Sequence, residues 1–300
     1  VTANNRGRVS FYRSGTDAAS YAGGDLTIAT PLLTADSGAM IDIRAGGAIA
    51  VNAAGAAADP STQADLGGEI RLQGGSVLLD TTVALPSGRL VMAAQGDIAL
   101  GDRARVDLAG RAVSFFDVTK HSWGGSLELE SHAGRIAQAA GSVIDVSARD
   151  NDAGTIEAVA TQGSAVFSGT LRGSADGGGN AGGFALSADA IADFAGLNTL
   201  LNDGGFFGER RFTARRGDLV VGDGVRARSV TISADGGSLI VNGRIDASGE
   251  KAGSIRLSAR DDLTLAAGAA LDAHGAVLQV DSHGAAIDAS NRGSVELTAS

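Results

Sequence analysis

The chain has 300 residues, 45 of them glycine, with only 1 Trp, 2 Tyr and 9 Phe. So few rings exclude a thick globular core, and 44% hydrophobic residues exclude a disordered chain, which leaves a thin, repetitive aliphatic core. A net charge of −10 argues against nucleic acid and anionic membranes as ligands, and the absence of cysteine excludes disulfides and thiolate metal sites.

The opening Val1-Thr2-Ala3-Asn4-Asn5 has neither an initiator Met nor a signal peptide, so the chain reads as a piece of something longer. No apolar run approaches the ~20 residues of a membrane span. From residue 68 onward a token recurs, Gly-x-apolar-x-apolar: Gly68-Glu69-Ile70-Arg71-Leu72, Gly125-Ser126-Leu127-Glu128-Leu129 and Gly253-Ser254-Ile255-Arg256-Leu257. Strict alternation is the period of a short strand with one buried face, and the leading glycine is read as a corner needing positive φ.

Leu127 to Ile156 is an interval of 29 residues and Ile144 to Leu171 one of 27, with the slack in polar corners such as residues 147–153. Gly177-Gly178-Gly179-Asn180-Ala181-Gly182 fits Gly-x-Gly-x-x-Gly, but no long helix follows to hold a pyrophosphate, so it is read as a corner. In residues 193–202, Phe194, Leu197 and Leu201 have helical spacing behind a capping Asp193. This predicts a short helical excursion near 193–203, within a segment 190–212 that leaves the stack and folds back on its side. The aromatic cluster after it offers Phe206, Phe207, Arg210 and Arg211 either as packing or as a surface contact.

The clearest repetition lies further on. Val230, Leu239 and Ile245 recur as Ile255, Leu263 and Leu271, at intervals of 25, 24 and 26 residues. Three short strands repeating in order are one turn of a three-sided parallel β-helix, stacked about 4.8 Å from the next turn. The whole of 1–300 is therefore read as one continuous segment of about a dozen turns. From Ile255 to Val295 the interval lengthens to 40, so the register is read as changing there, in a way the sequence does not resolve near 275–293.

Chemistry finds little support. The four histidines, His121, His132, His274 and His283, are scattered through polar corners, and no zinc-hydrolase, Walker or nucleophile-elbow motif occurs. No catalytic residue and no cofactor is assigned. Apolar-Asp-apolar recurs at Asp42, Asp107, Asp145, Asp246, Asp272 and Asp288. Alternation points these outward, either as a cation ladder (Asp145, Asp246, Asp272 and Asp288) or as a solvated face whose aspartates bond the following turn. The second reading is favoured, because the glycine-aspartate nonapeptide of calcium-loaded β-rolls is absent.

Residues 236–249 and 252–259 resemble the repeats of filamentous haemagglutinin-type exoproteins, as do residues 114–125 and 194–207. The resemblance spans most of residues 20–300 and implies a right-handed β-helical shaft, secreted or held at the bacterial cell surface at the outer membrane. It implies export by two-partner secretion through an outer-membrane pore, and a role in adhesion to a receptor or glycan it does not name. The amino-terminal secretion domain of such proteins is not evident, so the chain is read as an internal shaft segment and not as an enzyme. Two alternatives remain: a carbohydrate-active β-helix enzyme (a polysaccharide lyase or hydrolase) and a calcium-dependent binding module.

Overall fold

The computed structural model describes residues 2–3, 8–11 and 24–299; the parts of the 1–300 reading on other residues lie outside them. The fold is all-β and solenoid-like, built from long parallel sheets. It divides into two compact units, Val1–Gly182 and Gly183–Ser300.

In the first unit successive passes of the chain add strands to three sheets, although the pass between residues 44 and 69 adds only Ala48–Asn52. One sheet stacks Leu32–Ala35, Thr82–Ala84, Arg105–Asp107, Val143–Asp145 and Thr170–Arg172. The second stacks Met40–Arg44, Glu69–Gly74, Arg89–Ala94, Ser126–Ser131 and Thr155–Phe167. The third stacks Leu26–Ala29, Ala48–Asn52, Ser76–Asp80, Ile98–Leu100 and Ile136–Gln138, then the far half of Thr155–Phe167, which serves two sheets. Alternation sets the buried face: Ile41, Ile70, Leu90, Leu127 and Ile156 stand in register in one row, none more than 2% exposed. Each such side chain contributes roughly 1.5–3 kcal/mol of burial.

The second unit repeats the scheme with Gly183–Ala190, Glu209–Ala214, Ser229–Ala234, Ser254–Ala259 and Ser294–Ala299 in one parallel sheet. Val230 pairs with Ile255, Leu239 with Leu263 and Ile245 with Leu271, as the intervals predict. Leu127–Ile156 and Ile144–Leu171 are paired likewise. The register change expected between Ile255 and Val295 does not occur, since the two residues pair directly. Its extra residues form a side excursion with an antiparallel bridge between Val280 and Ala286 and a short helix, Asp288–Asn291.

Two further local expectations need correcting. Gly68, Gly125 and Gly253 do not have positive φ. Glycine is required there by close approach: a Cβ at Gly125 would collide with the Gly88 backbone, and one at Gly253 with the carbonyls of Ala247 and Arg228. Secondly, the interior of the second unit is not purely aliphatic, because Phe184 and Phe212 occupy inward positions beside the helix α1 (Phe194–Asp203). Outside the stack, Ala112–Phe115 and Val118–His121 form an antiparallel hairpin that joins none of the stacked sheets.

Candidate functional site

Helix α1 starts where Asp193 accepts a hydrogen bond from the Gly196 N–H, at 2.8 Å, satisfying one of the helix's free amides. Its Phe194 meets Phe212 edge-on with centroids 4.8 Å apart, and Phe206 meets Phe184 at 6.2 Å. Phe206 and Arg210 are 0% exposed, so neither forms a surface contact; both pack the excursion onto its own unit. Phe207 and Arg211 remain at the surface, Arg211 bonded to Glu209 at 2.6 Å.

Arg210 occupies an inward position between Phe184 and Val230. Its guanidinium donates to the Phe206 carbonyl (3.0 Å), Asn198 Oδ1 (2.9 Å) and Asn202 Oδ1 (2.7 Å). All three partners are neutral, and among the described residues Arg210 forms no salt bridge. Burial, with repulsion from Arg226 added, pushes its pKa down to about 10, so the group still carries its charge at neutral pH.

The aspartates divide by position. Asp107 pairs with Asp145 in one unit and Asp246 with Asp272 in the other, so two short ladders exist. Asp42 is buried in a different sheet and chelated by Arg44 at 2.6 Å, and Asp288 opens the short helix and binds Arg292. These two do not belong to a ladder. Within the ladders each carboxylate turns back on the next corner: Asp145 accepts from Ser147 N and Oγ, Asp246 from Ser248 N and Oγ, Asp272 from His274 N. Arg172 lies 3.5 Å from Asp145 and Arg244 2.7 Å from Asp272. Among the described residues no three His, Cys, Asp or Glu side chains converge as a metal site would require.

A feature the sequence did not reveal lies in the first unit. The hairpin carries exposed Phe115, Phe116 and Val118 at its tip, with Phe116 held at φ +53°. At its foot Ser122 Oγ accepts from the Arg111 N–H (2.8 Å) and lies 2.7 Å from the Ser87 hydroxyl, which donates to the Trp123 carbonyl at 2.6 Å. This pins the backbone of Trp123, the chain's single tryptophan, whose side chain stays 58% exposed on the rim of a groove of about 580 Å³.

The same groove is lined by a row in register, Glu69, Arg89, Ser126 and Thr155, one residue from each of four stacked strands. Each follows a glycine (Gly68, Gly88, Gly125, Gly154), so the position x of the Gly-x-apolar token is the signal that could have found them. Arg89 is bonded twice to Glu128 (2.6 and 2.9 Å) and lies 3.8 Å from Glu69; the bond to Glu128 raises its pKa.

No family model, curated protein or solved structure matches the chain. Among the described residues no helix is long and apolar enough to cross a membrane.

Proposed function

We propose that the chain is a structural and adhesive shaft segment of a bacterial filament that is secreted or attached to the cell surface. In this reading residues 1–300 form one continuous right-handed, three-sided parallel β-helix, similar in kind to filamentous haemagglutinin-type exoproteins. It is exported through an outer-membrane pore and acts mechanically, without catalysis, by projecting contacts outward. The observation that supports it best is the pairing register, in which successive passes of chain add to the same parallel sheets while the aliphatic rows stay aligned. Stability in such a stack is a sum of neighbour terms, so rungs can be added without redesigning a core. Insertions fall outside the ladders, as the hairpin at 112–121 does, and present side chains on the flank.

Two measurements test this. Small-angle scattering of the purified chain should report an elongated particle, and a compact sphere overturns the shaft. Beads coated with the chain should adhere to epithelial or bacterial cells above albumin-coated beads, and equal adherence overturns the adhesive role.

A further inference from the structure

We propose that the groove between Trp123 and the row Glu69–Arg89–Ser126–Thr155 binds an uncharged polysaccharide lying along the stack. The inference gives a ligand class to the adhesive part of the reading above and rests on that reading.

Three observations converge on one place. First, the tryptophan is exposed although the Ser87 hydroxyl holds its backbone carbonyl, so the indole is presented, not merely left over from packing. An amphipathic ring on a groove rim offers an apolar platform for the C–H face of a pyranose. Secondly, the same groove is lined by hydroxyl, carboxylate and guanidinium groups in register on adjacent parallel strands. Parallel strands lie about 4.8 Å apart, close to the repeat of a sugar unit in an extended chain, so each ring can meet one rung. Gly88, Gly125 and Gly154, which precede three members of that row, are buried and line the groove with backbone alone.

Charge then selects among glycans. Among the lining residues two carboxylates, Glu69 and Asp152, stand against one guanidinium, Arg89, which Glu128 and Glu69 already engage; with Glu128 and with Arg71, 3.7 Å from Glu69, the balance stays negative. Uronates and sulfated sugars would be repelled; neutral hexoses, which need only hydrogen-bond donors and acceptors, would not.

Because Trp123 is the only tryptophan, its emission reports directly on the groove. The purified chain is titrated with a glucan, a mannan and a galactan, with polygalacturonate and heparin as acidic arms, and fluorescence and gel retardation are read together. At least one neutral polymer should move the emission to shorter wavelength and retard the chain, with both acidic polymers inert. Trp123→Ala should weaken retardation at least tenfold at unchanged Tm. Thr155→Glu, which keeps the tryptophan, should weaken it too.

The proposal is overturned when no neutral polymer changes emission or mobility. It is equally overturned when acidic polymers bind as tightly as neutral ones, or when retardation survives both substitutions. Bead adherence separates the two readings: adherence without glycan binding overturns the groove alone, and glycan binding without adherence overturns the adhesive shaft alone.

Discussion

Arg210 holds an inward position that every other rung of its row fills with an apolar side chain. Its cost is the burial of a charge without an anion; what offsets it is a planar fork reaching three acceptors at once. Lysine has the charge but not the fork, so Arg210→Lys leaves at least one of Asn198 Oδ1, Asn202 Oδ1 or the Phe206 carbonyl without its donor. An unsatisfied buried group costs about 1–3 kcal/mol. Urea unfolding should therefore show Arg210→Lys less stable by about 2 kcal/mol; wild-type stability would mean that the fork contributes nothing.

The ladder aspartates make a second residue-scale case. Asp272 is held below the ordinary 3.8 by His274, through its ring and its N–H, and by Arg244. For Asp246 burial acts upward, but the Ser248 hydroxyl and N–H together with Arg244 outweigh it and the pKa is again lowered. A depressed carboxylate contributes stability that is complete above its unfolded pKa and is lost as the pH falls through the folded value. Melting curves between about pH 5 and pH 2.5 should thus show a falling Tm, and Asp272→Asn should flatten that acid limb. An identical limb in the variant would place the acid-sensitive groups elsewhere.

At the scale of elements, the excursion containing α1 depends on rings that touch across it. Phe206 is wholly buried against Phe184, and Phe194 meets Phe212. Truncating Phe206 removes its transfer energy and leaves a cavity that the stacked strands beneath cannot collapse to fill. Phe206→Ala should cost about 3–5 kcal/mol, read by denaturant unfolding with loss of helical signal; a loss under about 1 kcal/mol would show that α1 docks without it. The excursion was legible because helical spacing and a capping aspartate stand out against strand alternation. Intervals such as 230 to 255 were legible for the same kind of reason, since stacked sheets force a near-constant period. Of the two readings offered for the cluster, packing holds for Phe206 and Arg210, and phase was the signal that separates them: Arg210 alternates with Phe212 and Ala214, both inward. The hairpin was hidden because Ala112-Val113-Ser114-Phe115 looks like another rung, and Phe116-Asp117 lacks the Asn-Gly or Asp-Gly signature of a tight turn. The groove was hidden because its wall is assembled from residues a full turn apart.

For the molecule as a whole, the energetics of stacking put the weakness where a rung lacks a neighbour. Among the described residues Ser294–Ala299 pairs only with Ser254–Ala259, so one edge of its backbone is open. Its inward residues show the consequence: Val295 and Leu297 are 47% and 45% exposed, while Ile255 and Leu257, one rung earlier, are 1% and 0%. The same truncation should therefore cost different amounts on the two rungs. Leu257→Ala, in the wholly buried row, should lower stability in urea unfolding by about 2–5 kcal/mol. Leu297→Ala, whose side chain is half exposed, should lower it by less than about half as much. Equal losses in the two variants would mean that burial between rungs does not set the cost of a substitution in this stack.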